Sequence, residues 1–221
     1  MANIKVCLDP SHSRQRPGAH FGGLAEEELN LLQADFIKQV LDSVGVFNVT
    51  IIDRADDNKV KIGYAAKGTD LFVSLHHNSF DGKGDPYSSV HTHSMGNSPE
   101  TKLLSDSVAK EFKRHFGVVK QVQQELQVLK SAQAVQVPAC ILVESYFLQG
   151  GYDEDEAIAR TKLAGYAIAS GIIVYSQRVH TDRYTATRAG TVAQHLDECR
   201  ANSDRDSEGQ KNVTSPKVYK F

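Results

Sequence analysis

Apolar and polar positions along this chain follow two periods in turn. Short apolar runs rich in β-formers predict buried strands over residues 4–8, 46–52, 70–75 and 139–143. A weaker run predicts a strand over 88–94, and the short apolar stretch 126–129 reads as an edge strand. Between them the period becomes helical. Leu29, Leu32, Phe36 and Val40 give the spacing of a buried stripe, predicting a helix over 26–44 with Gly45 as its stop. A short helix over 59–66 is closed by Gly68. Ser98 before Pro99 supplies an N-cap hydroxyl and a first-turn proline for a helix to Phe116, with Leu104, Val108 and Phe112 inward. The acidic cluster 153–156 opens a last helix, to about Tyr175, because carboxylates favour a helix N-terminus.

Strands interleaved with helices imply an α/β fold with a largely parallel sheet covered on both faces, and the strand–strand neighbours make it mixed. After Tyr175 the texture changes. Residues 176–221 carry eight Lys or Arg against six Asp or Glu and no long apolar run. One short helix is expected over 187–200, and 202–210 is polar enough for a linker.

Composition narrows the function classes. The chain has 221 residues, 40% hydrophobic, with mean hydropathy −0.37, enough for one cored domain and an appendage. A formal net charge of −2 gives no basic face for nucleic acid. Three widely spaced cysteines argue against a disulfide framework and a Cys-based zinc site. No apolar run reads as long enough to span a bilayer, so no membrane insertion is expected. The start MANIKVCLDP runs straight into a strand, so no signal peptide is expected.

Candidate chemistry collects where strands end, as it does in open α/β sheets. Residues 4–8 lead into Asp9-Pro10-Ser11-His12, through a loop to Gly23 that is long for a βα connection. Residues 70–75 lead into His76-His77-Asn78, and 141–143 into Glu144. His12, Glu26 and His76 supply the donor types that catalytic zinc takes while keeping a position open. Gaps of 14 and 50 residues match no local metal motif, so on spacing alone strand-end loop histidines and helix-dipole acids are the favoured reading and a zinc trio the alternative. Glu144 after an apolar run is either a general base with a raised pKa or one half of a structural ion pair. His77 alternates away from His76. His91 and His93 share one side of a strand and read as a solvated polar face. Ser74 lacks a nucleophile-elbow context, Gly22-Gly23 lacks a phosphate-loop ending, and Cys140 sits mid-strand, a poor setting for a thiolate.

Four segments together resemble the zinc-dependent N-acetylmuramoyl-L-alanine amidases, cell-wall hydrolases of bacteria and their phages. Cys7-Leu8-Asp9-Pro10-Ser11-His12 is similar to the family's strand ending in Asp-Pro-Gly-His. Glu26-Glu27-Glu28-Leu29-Asn30-Leu31 is similar to its helix start, Glu-Lys-x-Leu-Asn-Leu. Phe72-Val73-Ser74-Leu75-His76-His77-Asn78 and Pro138-Ala139-Cys140-Ile141-Leu142-Val143-Glu144-Ser145-Tyr146-Phe147-Leu148 carry the more specific likeness. The resemblance spans residues 3–175. It implies a three-layer fold around a mixed, mostly parallel sheet of about six strands. It implies one Zn2+ per chain on His12, Glu26 and His76, with Glu144 as catalytic carboxylate. The bond cut would be the peptidoglycan amide between N-acetylmuramic acid and L-alanine. A catalytic domain over 1–175 is then followed by an extension, 176–221, that binds wall or makes a homo-oligomer, and the whole suits a phage or prophage endolysin. A non-catalytic peptidoglycan-binding domain, or a zinc peptidase or deacetylase acting on another amide, are the alternatives. Ser11 and Ser13 replace glycines of the first motif, Glu27 a lysine, and Tyr146 a common glycine, where it is expected to alter the cleft floor.

Overall fold

The computed structural model describes residues 3–21, 23–53, 58–79, 87–148 and 152–181. In chain order the elements are β1 (Ile4–Asp9), β2 (His20–Phe21), β3 (Leu24–Ala25), α1 (Glu26–Val44), β4 (Phe47–Ile51), α2 (Lys59–Ala65) and β5 (Leu71–Asn78). They continue with β6 (Ser88–His93), α3 (Pro99–Phe116), β7 (Val119–Gln124), α4 (Gln127–Ala134), β8 (Ala139–Phe147) and α5 (Glu154–Val179). Six strands form one sheet in the order β4-β1-β5-β8-β6-β7, and β2 and β3 pair in a small hairpin. β4, β1, β5 and β8 run parallel, whereas β6 is antiparallel to β8 and parallel to β7. The sheet is therefore mixed and mostly parallel, with helices on both faces.

Strand alternation assigns those faces. Cys7, Phe72, Cys140 and Leu142 pack with Ile62 and Ala66 near α2 and with Val128, Leu129 and Ala132 of α4. α1, α3 and α5 pack together on the other face. α3 and α5 touch so closely at Gly171 that a Cβ there would lie 2.6 Å from the Val108 Cα. The Gly45 stop and the Ser98 cap are those the sequence predicts, and Asp153, expected only as one of an acidic cluster, proves to be the N-cap of α5. Gly45 is left-handed at φ 72° with its N–H on the Asp42 carbonyl, and the Ser98 and Asp153 side chains accept from the Thr101 and Glu156 amides.

Some expectations change. The apolar stretch at 126–129 is not an edge strand; it leads into α4, whose inward side is Val128, Leu129 and Ala132. The edge strand on that side of the sheet, opposite β4, is β7, VKQVQQ, whose mostly exposed polar residues carry little alternation signal. Lys and Gln there suit an edge that must resist further pairing. β5 and β8 outrun the predicted strands, so His76 and Glu144 lie within strands rather than beyond them. α5 continues four residues past Tyr175 to Val179. By length and composition α5 is apolar enough to cross a bilayer, contrary to the sequence reading. However, 67% of its apolar window is buried within the protein, as befits a core helix against α1 and α3. The helix expected over 187–200 and the linker at 202–210 lie outside the described residues.

Candidate metal centre

The loop after β1 is held from below. Asp9 and Ser74, paired across β1 and β5, are both buried, and the Ser74 hydroxyl donates to Asp9 Oδ2 at 2.7 Å. The Ser11 carbonyl accepts from Asn30 Nδ2 at 3.4 Å. His12 then takes a left-handed backbone, φ 66°, an unfavourable region for a side chain with a Cβ. Ser13 and Arg16 exchange backbone hydrogen bonds in a tight turn, and the chain returns through β2 and β3 to α1.

The first turn of α1 is capped by this same loop. The Glu26 and Glu27 amides donate to the Ala19 and Pro17 carbonyls at 2.8 and 3.0 Å, and the Glu28 carboxylate accepts from the Ala25 amide at 3.0 Å. That separates the three acids. Glu28 turns back to the N-cap amide, the one half of a capping box that an alanine N-cap permits, while Glu26 is buried and turned toward the two histidines. Gly18 allows the approach. It is left-handed at φ 79°, and a Cβ on it would lie 2.5 Å from Glu26 Oε2 and 3.0 Å from the His12 ring.

Three side chains thus converge from three elements. Glu26 Oε1 lies 3.1 Å from His12 Nε2 and 3.3 Å from His76 Nδ1, and the two imidazoles meet edge to face at 5.3 Å. One donor atom from each falls within 4.8 Å of the others. Burial alone would raise the Glu26 carboxyl, but the hydrogen bonds from His12 and His76 outweigh it and hold it well below the usual carboxylate range. Its oxygens also accept from the His77 and Ala19 amides, at 3.2 and 3.1 Å. Two imidazoles and an ionised carboxylate, with no thiolate, form a donor set that a divalent metal of zinc's type accepts.

His77 points the other way, as alternation requires. It is buried; Nδ1 donates to Asn30 Oδ1 at 2.8 Å, Nε2 accepts from the Thr161 hydroxyl at 3.4 Å, and the ring meets Tyr146 edge to face. Burial pushes its pKa down to about 3, so it is a neutral structural imidazole. Asn30 therefore ties α1, β5 and the carbonyl next to His12 into one support. Its signal in the sequence is a polar amide, like Gln33 one turn on, among the buried positions of α1.

Glu144 sits on β8 directly across from His76, with Ser89 of β6 on its far side. Cross-strand partners project from the same face, so Glu144 shares the face of His76. Burial raises its carboxyl above the ordinary range, with His76 pulling the opposite way and Glu26 adding to the rise. Among the described residues, no hydrogen bond or ion pair engages its carboxylate, so the structural ion-pair reading finds no partner there. Tyr146 does not form the cleft floor. Between the paired positions, β5 advances from His76 to Asn78 while β8 advances from Glu144 to Phe147, and this bulge sends Tyr146 to the opposite face. There its hydroxyl donates to the Ala157 carbonyl at 2.8 Å.

His91 and His93 are buried rather than solvated, because β6 is flanked by β7 and β8 and packed by α3 and α4. His91 shares a 2.8 Å hydrogen bond with the Ser89 hydroxyl, and neither histidine joins the cluster. A cavity of about 510 Å³ opens beside His12, lined also by Arg16, Pro17, Gly18 and Lys59. A larger one, about 820 Å³, lies between β6, β7 and α3 and contains none of the cluster residues.

Fold and site together define a class: a three-layer α/β protein with a metal-competent His-Glu-His cluster, drawn from the loop after β1, the start of α1 and β5, and an unengaged carboxylate on the neighbouring β8. Residues 6–174 match the profile of the Amidase_3 family, N-acetylmuramoyl-L-alanine amidase, and the chain belongs to that family. Among solved structures it is similar to the CwlD amidase from Clostridioides difficile in complex with the GerS lipoprotein. That match has a TM-score of 0.65 at 21% identity, over 80% of this chain and 100% of that one. It is also similar to the amidase AmiC2 of Nostoc punctiforme, with a TM-score of 0.61 at 25% identity over 79% and 98% of the two chains. The catalytic domain of CwlV from Bacillus (Paenibacillus) polymyxa matches with a TM-score of 0.65 at 19% identity, over 79% and 98%. No curated protein sequence matches.

Proposed function

We propose that this protein is a zinc-dependent peptidoglycan amidase that cleaves the bond between the lactyl group of N-acetylmuramic acid and L-alanine. The observation carrying this is the convergence of His12, Glu26 and His76 within 4.8 Å, beside an unengaged Glu144, in a chain of the amidase family. His12 Nε2, Glu26 Oε1 and His76 Nδ1 are the atoms that would hold zinc. Zinc, when bound, supplies Lewis acidity and acidifies water.

The chain's own residues account for the proton. Glu144 accepts a proton from the attacking water and delivers it to the alanine nitrogen as the C–N bond breaks, leaving a lactyl carboxylate and a free amine. Its raised pKa suits both halves of that transfer. Asn30 and the Asp9–Ser74 pair hold the His12 loop and β5 in place. The catalytic unit is read as residues 1–175, and the extension 176–221, which begins with the last turn of α5, as a segment for wall binding or self-association.

Digestion of purified sacculi is the test. The expected products are stem peptides with free L-alanine amines and uncut glycan chains, formed by protein holding one zinc per chain. Chelation should stop the release, and zinc should restore it. Glu144→Gln should keep zinc and lose about 10²–10⁴-fold in rate. Reducing sugar ends in place of free alanine, or full turnover by Glu144→Gln, would overturn the reading. A non-catalytic wall-binding domain would bind sacculi and release nothing.

A further inference from the structure

We propose that Lys59 forms a carboxylate-binding subsite that takes the stem-peptide side of the substrate; this rests on the amidase reading above. Lys59 is the first residue of α2, and its ammonium donates to the Ser11 hydroxyl at 3.1 Å. Ser11 is buried and precedes the ligand candidate His12. Lys59 and His12 line the same cavity of about 510 Å³, with Arg16 at its wall. Among the described residues, no carboxylate pairs with the Lys59 ammonium. Glu26 is already engaged, by the two imidazoles and two backbone amides. A partly buried ammonium held only by a hydroxyl leaves donors free for an incoming anion.

The substrate's chemistry supplies the orientation. While the lactyl carboxyl is tied up in the scissile amide, the glycan strand is neutral, and every carboxylate lies on the peptide. The nearest is the free α-carboxylate of the second stem residue, one residue past the alanine amine that is released. A fixed cation in a cavity that begins at His12 therefore selects for the peptide running toward α2. Ser11, whose hydroxyl holds the ammonium, stands where the motif it resembles has glycine, so this contact depends on a hydroxyl that a glycine would lack. The Ser11 hydroxyl positions Lys59, and Lys59 contacts substrate.

The experiment compares two muropeptides that differ in one group, an α-carboxylate or an α-carboxamide on the second stem residue. Wild type should favour the acid in kcat/KM by about tenfold, the scale of one charge-assisted hydrogen bond. Lys59→Met should bring that ratio close to one, and Lys59→Arg should retain most of it. Zinc-loaded Glu144→Gln protein gives a readout free of turnover. By calorimetry it should bind the acid more tightly than the amide, with a gap that narrows as salt is raised and closes when Lys59→Met is added. Equal handling of the two ligands by wild type, or a preference that survives Lys59→Met, overturns the subsite while leaving the amidase reading intact. Cleavage of neither muropeptide, with sacculi also untouched, defeats both.

Discussion

His76 and His77 are neighbours in sequence and opposites in role. The first faces α2 and α4 and joins Glu26 and His12; the second faces α1 and α5 and is locked by Asn30, Thr161 and Tyr146. The same contrast holds for the two faces of the sheet. One carries largely buried polar groups converging on a common point, and on the other His77, Asn30, Thr161 and Tyr146 satisfy one another. A period of two residues is enough to separate chemistry from support, because consecutive side chains on a strand point to opposite faces.

The largest expected effect breaks the comparison directly. His76→Ala should abolish both zinc retention and amidase turnover while moving the thermal midpoint little, as read by metal analysis and calorimetry. His77→Ala should do the reverse. It should keep zinc but cost roughly 2–4 kcal/mol, since it empties a buried site and strands the Asn30 and Thr161 partners. If both variants lose metal and stability equally, the two faces are not separable.

Gly18→Ala should act on the site face alone. It adds a Cβ against Glu26 at a left-handed position, so zinc affinity should fall measurably with a stability loss of roughly 1–3 kcal/mol. Gly171→Ala sharpens the contrast from the other face. Overpacking against the Val108 backbone should cost roughly 1–3 kcal/mol with zinc content unchanged. The smallest effect concerns thiols beneath the site. Burial pushes Cys7 and Cys140 up to about 12, with Asp9 adding to Cys7. At pH 8 both should resist alkylation in the native protein and react on unfolding; rapid native labelling by mass spectrometry would show that this face opens.

Much of the support was legible because local rules decide it. Ser98, Asp153 and Gly45 end helices through hydrogen bonds and backbone angles that reach only three or four residues. Glu26 at the start of α1 was legible as an acid, but its separation from Glu28 required the loop that caps the helix. β7 was missed because an exposed, polar edge strand carries no apolar alternation. The start of α4 reads as a strand because the short apolar stretch 126–129 fits either period. His91 and His93 were read as solvated because strand spacing states which residues share a side, not what covers that side.

The sequence by itself determined the layered α/β order, the caps, and the opposition of His76 and His77, since all of these follow from periods and from contacts within a turn. Tertiary structure alone decided three things: that His12, Glu26 and His76 meet, that Tyr146 leaves the cleft through a bulge in β8, and that Lys59 reaches Ser11 from 48 residues away. Those depend on strand order and register, which bring distant segments side by side through pairings that no local pattern encodes.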